Sequence, residues 1–442
     1  MNDQAPRRQA FQAPPGTRDL LPPESDRWVR LLATVHGRMR RSGYGLIHGP
    51  AFEDIGVFQR LGEGTDVVTK EMYDFVDKGD RHVALRPEST ASVCRAFVQH
   101  RPATPWKVWY AAAHFRYERA QAGRYRQHHQ IGAEVLGSED PDVDVEIMAL
   151  AWGILRDVGL ERVLLVINSM GDPATRVAYS DVLTGWLRER IDELDPADQA
   201  KVETHPMRVL DSKRDATQAV IADAPQVGDH LSPAAVAHFE RVQEGLGALS
   251  IPFAIDARLV RGLDYYTHTT FEFQSSALQA AQSTVCGGGR YDGLVEDLGG
   301  PATPGIGFGM GVERLLLAAD AERSEVDPPP AVDVFVVDAT DGSAARDLVH
   351  RLRESGLAAD RAFDRRSMRS QMKSADRSGA HVAVIVGEQE LADGVATLRD
   401  LRGEQGQRAV PTDRLVEALR DMLAAPEAER DQRRYDWLGG EE

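Results

Sequence analysis

Apolar positions along the chain change their spacing several times. After Pro22-Pro23, the residues Trp28, Leu31, Leu32, Val35 and Met39 recur at helical intervals and form one apolar stripe. This predicts a helix that ends near Ser42-Gly43, where a glycine can close it. Residues 107–110, 162–167 and 269–274 read differently: they are short, rich in β-branched or aromatic side chains, and bounded by loops, which predicts strands. Strand and helix do not alternate regularly here, so an antiparallel sheet is expected rather than a doubly wound parallel one. Around Asp172 the spacing turns helical again. Leu183, Leu187 and Ile191 step by four among frequent charges up to about Ala248, which reads as a helical insertion before the strand pattern returns at Ile251.

Asp327-Pro328-Pro329-Pro330 is the clearest linker, because consecutive prolines disfavour helix and enforce an extended spacer. Beyond it, residues 332–337 and 381–386 read as buried strands and 343–354 as a helix. Residues 414–423 read as a closing helix, with Thr412 or Asp413 as its N-cap. This second part is expected to be a small α/β domain with mostly parallel strands. Residues 426–442 are highly charged and read as a loosely ordered tail.

Composition narrows the classes. A chain of 442 residues suggests about three domains, and 42% hydrophobic with 27% charged residues suffices for sizeable cores. Cys94 and Cys286 alone offer neither a disulfide framework nor a metal cluster, which fits a reducing cytoplasm. Residues 1–12 lack the apolar stretch of a secretory signal, and no run nears the roughly 18 apolar residues of a membrane span. A cytoplasmic protein without a membrane partner is expected. The net charge of −17 by itself argues against a nucleic-acid partner, so the distribution of charge becomes the deciding question.

Six constellations carry candidate chemistry. In Leu85-Arg86-Pro87-Glu88-Ser89-Thr90, an acid and a hydroxyl two apart could grip an ammonium group, although a plain surface turn fits the same residues. Phe115-Arg116-Tyr117-Glu118-Arg119 and Arg124-Tyr125-Arg126 make a basic hairpin suited to phosphate, or equally a solvated hairpin with surface ion pairs. Four residues apart on a strand, Gln130 and Glu134 share a face. A buried Glu134 needs a donor, either a ligand or a neighbouring arginine. Cys286-Gly287-Gly288-Gly289-Arg290-Tyr291 lets backbone approach a ligand closely, or is only a flexible turn. The alternating glycines of 305–311 imply something packed flat against a strand, with Arg314 on the helix that follows. Arg261-Gly262-Leu263-Asp264-Tyr265-Tyr266 adds a cation, an acid and two phenols, the inventory of a pocket for a small polar ligand beside a phosphate.

In order and combination these motifs resemble the histidyl-tRNA synthetases, class II aminoacyl-tRNA synthetases, from Gly16-Thr17-Arg18-Asp19 to about Leu423. Pro50 with the helix before it resembles motif 1, residues 115–134 motif 2, and residues 305–314 motif 3. Residues 261–266 and 287–291 resemble the histidine-specific signatures, and residues 205–213 a stretch of the family's insertion domain. The resemblance implies an α+β catalytic domain with an antiparallel sheet and a helical insertion, plus a C-terminal α/β anticodon-binding domain. The implied divisions are 1–172 and 249–326 for the catalytic core, 173–248 for the insertion, 331–425 for the anticodon-binding domain and 426–442 for the tail. It implies ATP-dependent activation of L-histidine and transfer to tRNA(His), with Mg²⁺ on the phosphates and a homodimer built on motif 1.

Carried to matching positions, the resemblance places Arg116 at the ATP α-phosphate, Arg314 at the γ-phosphate and Gly309 at the nucleotide. Arg261 falls near the α-phosphate and the histidine carboxylate, where a fixed cation would stabilise charge as it accumulates. Glu88, Thr90 and Gln130 would orient the backbone groups of the amino acid. Glu134 and Tyr266 would bond the imidazole nitrogens, with Tyr265 and Tyr291 lining the pocket. Gln121 and Arg124 would meet the tRNA acceptor end. Ser89, Ala120, Ala122, His128 and His268 depart from the family pattern. Arg365, Arg369, Lys373 and Arg377 recur every four residues; on a helix they form a basic stripe, which the resemblance makes an anticodon-stem contact. A related regulatory subunit of ATP phosphoribosyltransferase, which binds histidine without charging tRNA, is the rival reading. The intact 261–266 signature and the C-terminal domain oppose it.

Overall fold

The computed structural model describes residues 11–60, 67–118, 123–210, 212, 214–260, 265–279, 282–322, 332–403 and 406–424. Arg261 to Asp264, the loop residues Arg119, Ala120, Gln121 and Ala122, the proline linker and the charged tail lie outside the described residues. The chain divides into two units, Met1–Val326 and Asp327–Glu442.

The first unit opens with α1 (Glu24–Arg41), whose apolar stripe buries Leu31, Val35 and Met39. Glu24 and Asp26 begin this helix and Arg38, Arg40 and Arg41 end it, complementing its dipole. Gly43, at φ +78°, turns the chain out of the helix, and Tyr44 N–H closes onto Met39 C=O. There follow β1 (Gly45–Leu46), β2 (Phe52–Asp54), α2 (Ile55–Gln59), β3 (Tyr73–Val76), β4 (His82–Leu85) and α3 (Thr90–His100). A long hairpin, β5 (Trp106–Phe115) and β6 (Gln127–Leu136), leads to α4 (Pro141–Asp157) and β7 (Val163–Ser169). The first hairpin strand, β5, runs well beyond residues 107–110, whose side chains predicted a strand.

Four helices then interrupt the sheet: α5 (Pro173–Arg188), α6 (Pro196–Gln199), α7 (Asp215–Ile221) and α8 (Pro233–Ala248). The first and last are capped by Asp172 and Ser232, and Ser232 Oγ–H donates to Asp172 Oδ2 at 2.5 Å. The helical segment is thereby tied at its two ends. Tyr179, Leu183, Leu187, Val202 and Ile221 give it a small core of its own. The sheet resumes with β8 (Phe253–Ile255), β9 (Thr267–Ser275), β10 (Thr284–Arg290), α9 (Leu294–Asp297), β11 (Gly305–Gly311) and α10 (Val312–Glu322).

Among the described residues the main sheet has the order β1-β5-β6-β11-β10-β9-β7-β8. Its outer pairs β1/β5 and β7/β8 are parallel, and every pairing between them is antiparallel. Strand periodicity separates its two faces. Ile131, Ala133 and Val135 point into the large core beneath α1, α4 and α10. Tyr110 and Leu136 point the other way, toward α3 and α9, with Tyr291 against them. Gln130 and Glu134 belong to this second face.

The second unit contains β12 (Val334–Asp338), α11 (Ser343–Glu354), β13 (Ala359–Arg361), α12 (Met368–Arg377), β14 (Val382–Val386), α13 (Glu388–Ala392), β15 (Val395–Asp400), β16 (Gln407–Pro411) and α14 (Leu415–Leu423). Its sheet order is β13-β12-β14-β15-β16. Only β13/β12 and β12/β14 are parallel; β14/β15 and β15/β16 are antiparallel, so the sheet is mixed rather than mostly parallel. The connections into β15 and β16 are too short for a crossover, which needs a dozen or more residues. The cap expected for α14 also differs. Arg414 occupies that position without a side-chain bond, and Thr412 Oγ1–H instead donates to Gly394 C=O at 3.1 Å.

Candidate active site

The turn between β4 and α3 is buried at Pro87, Glu88 and Ser89, so it is no surface turn. Glu88 turns back on the start of α3, where its carboxylate accepts Thr90 N–H at 2.7 Å and Ala91 N–H at 2.8 Å. Several links hold this turn to the hairpin, among them Arg86 Nε–H donating to Ala113 C=O at 2.8 Å. Phe115 N–H donates to Arg86 C=O at 3.0 Å, Arg116 Nε–H donates to Pro87 C=O at 2.9 Å, and Ser89 Oγ lies 2.7 Å from His114 Nε2.

Opposite the turn stands Glu134, only 1% exposed. Its carboxylate accepts Thr90 Oγ1–H at 2.8 Å and Tyr291 O–H at 2.5 Å. Burial pushes its pKa up to about 8 against the pull of those two donors, and Glu88 nearby adds to the rise. Among the described residues its donors are Thr90 and Tyr291 rather than an arginine. The Tyr265 ring lies 4.7 Å from Tyr266 and 5.8 Å from Tyr291, centroid to centroid, forming an aromatic wall. Burial raises the phenols of Tyr265 and Tyr291 well above the usual tyrosine range.

The glycines explain how these side chains lie flat. A Cβ at Gly307 would fall on the Glu134 carboxylate, one at Gly305 on the Tyr291 ring, and one at Gly289 within 2.8 Å of Tyr266 Cδ1. The expected flat packing on β11 is therefore met first by the protein's own site residues. Gly309 is different: a Cβ there would meet only the Gln130 amide, at 3.7 Å or more.

Arg314 sits in the first turn of α10 and donates through Nη1 to Thr284 C=O at 2.8 Å. Its pKa is lowered, first by burial and then by Arg124, with Arg116 contributing. Glu118 and Glu272 act on Arg314 in the opposite direction, so the charges around it are mixed. Arg124 is partly offset by Glu118 Oε2 at 3.6 Å. Arg261, the cation expected between phosphate and carboxylate, and Gln121, expected at the loop tip, lie outside the described residues.

Several contributors went unread in the sequence. Arg290 is 1% exposed, is ion-paired with the buried Asp144 of α4 and donates to Ser138 C=O at 2.8 Å, anchoring the glycine strand from behind. Glu313 accepts His129 N–H at 3.1 Å and contacts His129 Nδ1 at 2.9 Å, locking α10 to β6. His268, at φ +43°, donates its N–H to Gly171 C=O and stacks on His238 of α8 at 4.8 Å, joining β9 to the helical segment. Each partner is remote in sequence, and no local pattern announces it.

In the second unit, Arg369, Lys373 and Arg377 lie on α12 and are exposed. Arg365 does not extend their stripe. Asp364 and Arg365 are left-handed, at φ +64° and +45°, and Ser367 caps the helix after them. Asp376 is bound by Arg402 Nη1 at 3.0 Å, which offsets the acid on this helix.

The family model for histidyl-tRNA synthetase matches residues 16–315, and that for an anticodon binding domain matches residues 332–422. The chain belongs to the histidyl-tRNA synthetase family. It is 46% identical over 420 residues to the histidine–tRNA ligase of Geobacillus thermodenitrificans, covering 93% of this chain and 98% of that one. To the histidine–tRNA ligase of Rhodococcus erythropolis it is 47% identical over 420 residues, with the same coverage of each. The crystal structure of apo histidyl-tRNA synthetase from S. aureus aligns with a TM-score of 0.79 at 37% identity, over 93% of this chain and all of the other. A histidyl-tRNA synthetase fold accounts for the antiparallel centre of the main sheet and for the separate second unit.

Proposed function

We propose that the chain activates L-histidine with ATP and transfers it to tRNA(His). The histidine carboxylate attacks the α-phosphorus, releasing pyrophosphate and leaving histidyl-adenylate. A hydroxyl of the terminal adenosine of the tRNA then attacks the activated carbonyl, and AMP departs. The observation that carries this reading is the buried Glu134, held by Thr90 and Tyr291 beside the two phenols of Tyr265 and Tyr266. A carboxyl in an aromatic wall suits a ring bearing nitrogen donors, and an amino acid without them would leave it unpaired.

On this reading Glu134 and Tyr266 bond the imidazole, while Glu88, Thr90 and Gln130 orient the amino-acid backbone. Tyr265 and Tyr291 enclose the ring. Arg116 and Arg314 receive the ATP phosphates, with Gly309 beside the nucleotide, and Arg261 stabilises charge at the α-phosphate. Gln121 and Arg124 meet the acceptor end of the tRNA, and Arg369 and Lys373 its anticodon arm. Mg²⁺ would enter on the ATP phosphates, a binding mode that needs only one or two carboxylates. Glu118 and Glu272 are acidic groups whose charges both act on Arg314. Segments 1–172 and 249–326 form the catalytic core, 173–248 an insertion and 331–425 the anticodon-binding domain. A homodimer through the motif 1 region is part of the same reading. So is a reducing, cytoplasmic setting, which suits the buried thiols of Cys94 and Cys286.

The test is histidine-dependent exchange of pyrophosphate into ATP. The purified protein should catalyse it with histidine alone among the amino acids. Arg261→Ala should abolish exchange with an unchanged circular dichroism spectrum. Absence of exchange with every amino acid would overturn the enzyme reading and favour the histidine-binding regulatory one.

A further inference from the structure

Ser89 stands between the two residues assigned to the amino-acid substrate, Glu88 and Thr90. It occupies the N-cap position of α3, yet its side chain makes no cap bond. Glu88 takes the orphan N–H groups instead, which leaves the Ser89 hydroxyl to the His114 imidazole at 2.7 Å. Both residues are buried, His114 completely.

The place of His114 in the hairpin makes this bond consequential. On β5 it shares the site face with Tyr110, and it lies directly across from His128 of β6, with ring centroids 5.8 Å apart. His128 in turn shares its face with Gln130 two residues on. The imidazole therefore fills the corner between the floor of the site and the turn above it. Three consecutive residues, His114, Phe115 and Arg116, grip Ser89, Arg86 and Pro87 respectively. Of these grips, only that of His114 reaches a side chain between the two substrate-facing residues. Burial keeps both rings neutral: it holds His114 well below its usual pKa, with His128 and the arginines 86 and 116 adding to the effect, and it takes His128 to about 3. Among the described residues the buried neutral ring has one hydrogen-bond partner, Ser89.

We propose that His114 is a positioning residue for the activation step: through the Ser89 hydroxyl it fixes the turn that presents Glu88 and Thr90 to the amino-acid end of histidine. The proposal rests on the histidine-binding reading of those two residues.

Pyrophosphate exchange, with histidine and ATP varied in turn, tests it. His114→Leu should raise KM for histidine roughly tenfold, the worth of a buried hydrogen bond, with KM for ATP within about twofold. His114→Gln, whose amide nitrogen can reach the place of Nε2, should recover most of the loss. Ser89→Ala should match His114→Leu, and the double variant should be no worse than either alone, because the two changes remove one bond. Ser89→Ala deletes only a hydroxyl, so it carries the test if His114→Leu fails to fold. Unchanged KM for histidine in Ser89→Ala would overturn the proposal. So would equal rises for histidine and ATP, or losses that multiply in the double variant. Failure of the wild type to exchange with histidine would instead overturn the underlying assignment of the pocket.

Discussion

Glu134 is the residue in which stability and function are most openly in tension. A carboxyl buried at 1% exposure, with its pKa pushed up to about 8, is protonated in the folded protein where an unfolded chain would have ionised near 4.5. Between those two values the folded state holds the extra proton, so stability falls as pH rises from about 5 to about 8 and then levels off. The size of this loss is on the order of a few kcal/mol. Urea unfolding of the wild type and of Glu134→Gln at pH 5 and pH 8 isolates it. Five of the six tryptophans precede residue 327 and report on the first unit. The wild type should lose stability relative to the variant across this range. A stability difference independent of pH would contradict the assignment. Period-two spacing alone put Glu134 on one face with Gln130. Its partners Thr90 and Tyr291, 44 and 157 residues away, were beyond any local pattern.

At the scale of elements, β11 shows what an alternating-glycine strand accomplishes. Its backbone forms the floor on which Glu134 and Tyr291 lie, and its two central glycines face different occupants. A methyl at Gly307 would displace the Glu134 carboxylate, whereas one at Gly309 would stand free above the strand near Gln130. Gly307→Ala should therefore raise KM for histidine at least about tenfold and destabilise the fold by about 1–3 kcal/mol, as overpacking does. Gly309→Ala should act mainly on KM for ATP. Exchange kinetics with each substrate varied will separate them, and a shared effect on one KM would dissolve the division of the strand. This strand was readable because interior glycines are costly and need a reason. So was α1, whose one-sided stripe matches the face it buries. The α14 cap and the mixed second sheet were not readable: Thr412 is diverted to Gly394, and strand direction depends on connection length rather than on side-chain pattern.

For the whole molecule, the question is how a chain of net charge −17 engages a polyanion. The answer is local. Arg369, Lys373 and Arg377 form an exposed stripe on α12 while Arg402 occupies Asp376, so one face of the second unit is basic whatever the total. Such a face binds phosphates by releasing counterions, and each lost contact lowers the salt dependence by about 0.7–0.9 in log–log slope. Arg369→Glu with Lys373→Glu should raise KM for tRNA(His) by about tenfold or more and flatten its dependence on ionic strength. Pyrophosphate exchange, which needs no tRNA, should stay within about twofold of wild type. Charging assays from low to moderate salt, run beside exchange on the same preparations, decide the matter. If exchange and charging fall together, α12 supports the fold of its own unit rather than the tRNA. If neither changes, the anticodon arm is held by other residues and the stripe is a solvated face.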